Sequence, residues 1–207
     1  MRKILSLFAY LLYKDDVIRL KKQIRLIYSS INNSKRNKYK LFAQLLISGE
    51  DHRFRYHWGF DPIAIIRAIK QRLLHNRIEG ASTIEQQLVR VMTNNYKICY
   101  KRKIKEILLS TTIKSFIPKK DIPYVYLEVA YYGDNVYGLH NMLEYLKLKE
   151  ENITIEKSAE LIAFIKYPYC SKKVLNNTYR LTNRKNHLLN LYKKHLNTRI
   201  FKLYYEY

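Results

Sequence analysis

Acidic residues are scarce in this chain. Its 17 Asp and Glu face 39 Lys and Arg, a formal net charge of +22 over 207 residues. Glycine and proline are also few, at 5 and 4. Long stretches run between these breakers, which argues against an all-β sandwich and for helices. Only two cysteines occur, Cys99 and Cys170. They exclude a multi-bridge scaffold and a four-cysteine metal site, and are expected to be free, buried thiols. Hydrophobic residues nonetheless make up 47% and charged ones 27%, so the chain is neither disordered nor of low complexity. The length fits one domain, or one with a short appendage. So strong a positive balance points to polyanions: nucleic acid, anionic lipid headgroups or a phosphorylated substrate.

No long hydrophobic run is present either. The longest begins after Arg2-Lys3, at Ile4–Tyr13, about half of what a membrane span needs. It has the basic start and apolar length of a signal peptide, but no small-x-small cleavage site follows. A shortened anchor, an interfacial helix and an ordinary core helix all remain open. Residues 17–31 form a basic amphipathic pattern that suits an anionic membrane surface or the side of a domain. The polar segment 32–39 breaks the period and reads as a linker. The expected organisation is a membrane-associating segment with linker over 1–39, a main domain over 40–196 and a tail over 197–207.

Within the main domain an apolar helix is expected over 40–50. Asp61-Pro62 opens the next, with Asp at the N-cap and Pro in the first turn; Ile63, Ile66, Ala68, Ile69 and Leu73 follow at helical spacing. Ser82-Thr83-Ile84-Glu85 reads as a capping box with Ser82 at the N-cap. After a basic connector over 97–103, a helix is expected to run towards Pro118 with Ile104, Leu108, Leu109, Ile113 and Phe116 inward. Residues 131–138 read as a turn-rich loop, and helices are expected over 139–149, 155–166 and 182–196. The fold class is mainly α.

Chemistry concentrates first at Glu50-Asp51, a carboxylate pair where an apolar helix meets a polar loop. Such a pair suits acid/base work, and it equally suits a helix end with solvated charges. His52 and His57 follow, without the spacing of a zinc site. The pattern E-D-x-x-F-x-x-H-x-G-x-D is met by Glu50, Asp51, Phe54, His57, Gly59 and Asp61. G-x-S-T-x-x-Q-Q-x-x-(K/R) is met by Gly80, Ser82, Thr83, Gln86, Gln87 and Arg90, and R-K-x-x-E by Arg102, Lys103 and Glu106.

In this order and spacing the three motifs resemble those of the peptidoglycan glycosyltransferases (glycosyltransferase family 51), the monofunctional transglycosylases in particular, over about residues 40–190. The resemblance implies a lysozyme-like two-lobed domain. It implies polymerisation of lipid II, a polyprenyl-pyrophosphoryl disaccharide-peptide, into β-1,4 glycan with inversion, and Glu50 as the general base. Glu106 matches the second essential carboxylate, at the donor site. Asp51, His57, Ser82, Thr83, Gln86 and Gln87 match substrate-binding positions. Arg90, Arg102, Lys103 and Lys105 match a cationic cradle for the pyrophosphate. A weakly bound Mg2+ or Mn2+ is implied as an assistant, although the sequence offers no dedicated metal cage. The implied partners are lipid II, the growing glycan strand, an anionic membrane and other cell-wall synthases, at the periplasmic face of the cytoplasmic membrane. Nucleic acid accounts for the charge but for none of the motifs.

The match departs in places. In the fourth motif Tyr124 stands where Glu is usual and Glu128 where Asn is usual, with Lys119 retained. Ile98 takes the place of an Arg, with Lys97 beside it, and Ser158 that of a Glu. Arg184, Asn186 and Leu189 keep the closing segment. These departures leave open a non-catalytic lipid II- or glycan-binding protein, and a polymerase of another polyprenyl-linked polysaccharide. A lysozyme-type hydrolase would not need the basic cradle.

Overall fold

A computed structural model describes residues 2–77, 79–149, 153–171, 174–196 and 198, the side chains of 174–177 excepted. The tail expected over 197–207 lies outside the described residues except for Thr198. The chain is mainly α, as its composition predicts. It divides into two compact units, one of residues up to Tyr28 with Arg53–Ile122, the other of Ser29–His52 with Pro123 onward.

The first unit contains α1 (Arg2–Leu12), α2 (Lys14–Ser29, but for its last residue), α4 (Pro62–His75), α5 (Ile84–Thr93) and α6 (Tyr100–Ser110). Val17, Leu20 and Ile24, spaced 3 and 4 apart, are the buried positions of α2, and α1 packs on α6. The Lys105 ammonium pairs with Asp16 and lies 5.0 Å from the Tyr13 ring centroid. Helix α4 starts as its sequence dictates, with the Asp61 side chain accepting from the Ile63 N–H and Pro62 in the first turn. Its apolar face, however, points to solvent: Ile63, Ile66, Ile69, Leu73 and Leu74 are exposed, and Ala64 alone on the helix is buried. Helical spacing identifies an apolar face, not what covers it.

Gly59 must be glycine. Its φ is +121°, and a Cβ there would overlap the Ser110 carbonyl at the end of α6. The helix expected to run to Pro118 stops at Ser110 and continues in short 3-10 turns at Ile113–Ser115 and Lys119–Asp121. Leu109, Ile113 and Phe116 are buried, whereas Ile104 is exposed, against expectation. Ile104 lies within α6, before the break, so the period places it on a face without saying what covers that face.

The second unit contains α3 (Asn33–Glu50), most of α7 (Ile122–Val129), the strands β1 (Tyr131–Gly133) and β2 (Val136–Tyr137), α8 (Leu139–Tyr145), α9 (Ile155–Lys166) and α10 (Val174–Leu196). Helices α3, α9 and α10 pack on one another. The expected linker over 32–39 is helix instead. Asn32 caps α3 by accepting from the Lys35 N–H, and Tyr39 is buried, so tertiary burial overrides the polar composition. The turn-rich loop closes as a small antiparallel hairpin, with Asp134 and Asn135 in the left-handed region at its turn. Cys99 is exposed and Cys170 half-buried, both free, rather than buried as expected; Cys99 caps α6 through its sulfur.

Candidate active site

Each unit carries one of the two carboxylates that the motifs single out. Glu50 ends α3, where the chain leaves the helix through Asp51, whose N–H donates to the Ile47 carbonyl. From α10, the Arg184 guanidinium reaches both turns of that helix end. Its Nη2 donates to the Glu50 Oε1 at 2.5 Å and to the Gly49 carbonyl at 2.9 Å. Gly49 makes the approach feasible, because a Cβ at that position would overlap the Leu188 side chain. Asp51 is buried, and the His52 ring stacks on His195 of α10 at 6.3 Å.

In the first unit, R-K-x-x-E lies on one face of α6, because residues three and four apart are neighbours on a helix. Glu106 is 3% exposed. Its Oε1 accepts from Lys103 Nζ at 2.6 Å and Arg90 Nη2 at 3.2 Å. Its Oε2 accepts from Arg102 and from Arg90 Nε at 3.1 Å. Lys103 also donates to the Gln86 Oε1 at 2.8 Å and the Ser82 hydroxyl at 3.0 Å. Burial pushes the Glu106 carboxyl up, but bonds from Arg90 and Lys103 outweigh it, and the carboxyl titrates below its ordinary value. Burial also lowers Lys103, and the Arg90 and Arg102 charges add to this, against the opposing pull of Glu106. One carboxylate thus balances three cations, leaving a net positive cluster.

Two donors in this cluster remain unused. Among the described residues, the buried Gln86 Nε2 and Arg102 Nε have no hydrogen-bond partner. A surface pocket that Arg102 lines is formed also by Arg90, Thr93, Asn95, Lys105 and Glu106, together with Val89 and Leu109. Positive charge and spare N–H donors suit an anionic ligand rich in oxygen. A divalent cation does not fit here, because both Glu106 oxygens are taken by protein cations and the neighbouring charges repel a metal ion.

Not all of the sequence-singled residues join the cluster. Thr83, rather than Ser82, is the N-cap of α5. Its hydroxyl accepts from the Gln86 N–H at 3.2 Å and donates to the Gly59 carbonyl. The capping register is therefore one residue later than expected, which frees Ser82 for Lys103. Glu85 does not reach back to the cap; its Oε1 accepts from Lys119 Nζ at 2.8 Å. Lys119 also donates to the His57 carbonyl at 2.6 Å and lies over the Phe54 ring at 4.4 Å. His57, itself buried, is thus held through its backbone carbonyl and through its ring, whose Nδ1 accepts from the Gly59 N–H at 3.4 Å. Gln87 is half-buried on α5. Lys105 lines the pocket but turns its ammonium to Asp16. Arg184, Lys119 and Glu85 were not singled out as site residues, because their contacts span 134, 62 and 34 residues of chain.

Thr83→Ala removes a cap and a buried hydrogen bond. It should cost about 2 kcal/mol and lower the melting temperature by roughly 5 °C. Calorimetric unfolding of the two proteins checks this, and an unchanged melting temperature contradicts it.

Residues 25–193 match the transglycosylase family. The chain belongs to that family. Its relatives include penicillin-binding protein 1A of Rickettsia bellii, 37% identical over 127 residues, which cover 59% of this chain and 16% of that protein. Penicillin-binding protein 1A of Vibrio cholerae is 33% identical over 154 residues, 72% of this chain and 18% of the relative. Penicillin-binding protein 1F of Bacillus subtilis is 30% identical over 139 residues, 66% and 20%. This transglycosylase therefore spans about a fifth or less of the length of the curated relatives it matches. In the fourth motif, Tyr124 is buried where the resemblance places Glu, and Glu128 is paired with Lys35 Nζ at 2.7 Å. The altered positions are thus absorbed by packing and by a compensating ion pair within their own unit.

Proposed function

We propose that this chain is a peptidoglycan glycosyltransferase that polymerises lipid II at the outer face of the cytoplasmic membrane. The observation that carries this reading is the cluster of Arg90, Arg102 and Lys103 around Glu106, with two buried N–H donors left over. An unsatisfied buried donor costs about 1–3 kcal/mol, and an oxygen of a pyrophosphoryl sugar would satisfy the one whose residue lines the pocket, Arg102 Nε. In the reaction, the acceptor 4-hydroxyl oxygen forms a bond to the donor anomeric carbon. The bond from that carbon to the pyrophosphate oxygen breaks, and its electron pair leaves with the pyrophosphate. Glu50 takes the hydroxyl proton. The cationic cluster stabilises the charge that builds on the leaving group. Ser82 and Gln86 hold Lys103, and Arg184 holds Glu50.

Membrane association is part of this reading. Among the described residues no helix is long and apolar enough to cross a membrane. Helix α1 exposes Ile4, Leu7, Phe8, Leu11 and Leu12, and α4 its own aliphatic stripe. Amphipathic helices of a strongly basic protein suit the interface of an anionic bilayer.

The decisive assay is polymerisation of labelled lipid II in detergent, with glycan sized on a gel. Long glycan is expected. Lipid II binding without glycan would overturn the polymerase reading. It would favour a binding protein, which the Tyr124 and Glu128 replacements motivate.

A further inference from the structure

We propose that the loop between α5 and α6 inserts into an anionic bilayer, with Tyr96, Ile98 and Tyr100 as its apolar contacts. The proposal rests on the membrane association argued above and assigns it an element that neither the motifs nor the amphipathic helices account for. Asn94, left-handed at φ 46°, ends α5 by donating its backbone N–H to the Arg90 and Val91 carbonyls. The chain then passes outward before Cys99 caps α6. Ile98 is 100% exposed, Tyr100 91% and Tyr96 52%. They alternate with Lys97, Cys99 and Lys101, all exposed as well.

An aliphatic side chain wholly in water, set between two exposed tyrosines, adds nothing to the fold. Other isoleucines of this unit are exposed too, Ile66 at 66% among them, but among the described residues none is as fully exposed as Ile98. The flanking residues are those a membrane interface selects. Tyrosine sits at headgroup level with its hydroxyl in water, and lysine lays its methylenes along the acyl boundary while its ammonium stays outside. The charge is complementary too. From Gln86 to Lys105 the sequence contains no Asp or Glu and six cations: Arg90, Lys97, Lys101, Arg102, Lys103 and Lys105. Each cation near an anionic leaflet is drawn to its surface. Arg90, Arg102 and Lys103 are spent on Glu106 and Lys105 on Asp16, so the loop's own share comes from Lys97 and Lys101. A nucleic acid would use the lysines and stack on the tyrosines, but it gives Ile98 no role.

The test measures co-sedimentation of the whole chain with phosphatidylcholine vesicles with and without phosphatidylglycerol. Wild type is compared with a Tyr96→Ser, Ile98→Ser, Tyr100→Ser triple variant. The melting temperature of the variant is measured beside that of wild type, and an Ile98→Ser, Tyr100→Ser double variant at the two most exposed positions should show the same direction of loss. Wild type should bind the phosphatidylglycerol vesicles, and the triple variant should bind them roughly tenfold or more weakly. In a Trp58→Phe background, Ile98→Trp should report insertion by a blue-shifted emission that brominated acyl chains quench. Equal binding by the triple variant, or an Ile98→Trp emission unaffected by vesicles, overturns the loop assignment while membrane association stands. Failure of the wild type to bind any vesicle overturns both.

Discussion

Glu106→Gln should lower the melting temperature by about 10 °C and abolish glycan synthesis. Removing one partner of a buried ion pair costs about 3–5 kcal/mol. Here the side chains of Arg90, Arg102 and Lys103 are 29%, 16% and 32% exposed. Water takes up part of their charge, which brings the expected loss to about 3 kcal/mol, or roughly 10 °C for a chain of this size. The effect depends on pH in a direction fixed by the structure. The Glu106 carboxyl titrates below its ordinary value, so its contribution to stability is complete above the unfolded value of about 4.3. That contribution is lost as pH falls through the lower folded value. The stability difference between wild type and Glu106→Gln should therefore shrink on acidification below about pH 4. Urea unfolding of both proteins over a pH series tests this. A difference that persisted unchanged into strong acid would mean that the loss is one of packing, not of charge.

The surroundings of the two carboxylates differ in how far the sequence reveals them. Arg102, Lys103 and Glu106 are separated by the i, i+3 and i, i+4 intervals of α6, so any helix through them brings them together. Arg90 joins from α5, whose cap and apolar face are also local features. The register of that cap was not legible, because Ser82 and Thr83 are both good N-caps. Only the Thr83 hydroxyl also meets the Gly59 carbonyl, 24 residues earlier.

The hold of Arg184 on Glu50 spans 134 residues and two helices. Nothing near either residue signals it. Two further expectations failed because local pattern says nothing about what covers a surface. The polar stretch that opens α3 contains the buried Tyr39, and the apolar α4 faces water. The outward face of α4 is itself informative, since a stripe of exposed aliphatic side chains marks a surface that meets something other than water.

Glu50→Gln should leave the fold intact and reduce glycan synthesis by about a thousandfold, within the range for loss of a general base. The substitution is close to isosteric. The Gln carbonyl oxygen can still accept from Arg184, and Gly49 still offers its own carbonyl, so α3 keeps its tie to α10. What is lost is a group able to take the acceptor proton while its oxygen attacks. An interaction made only in the transition state lowers the turnover rate without weakening substrate binding, so the lipid II concentration for half-maximal rate should stay near the wild-type value. Arg184→Lys provides the comparison that separates a base from the residue that holds it. Lysine keeps the charge, and its ammonium could donate to both oxygens that Arg184 Nη2 reaches, but it sits on a flexible stem without the planar group that fixes the donor in place. It should retain measurable synthesis, reduced about tenfold through misplacement of the base rather than its removal. Single-turnover polymerisation with labelled lipid II distinguishes the two. If Glu50→Gln kept a tenth or more of the wild-type rate, Glu50 would not be the base. If Arg184→Lys fell as far as Glu50→Gln, the arginine would take part in the chemistry directly.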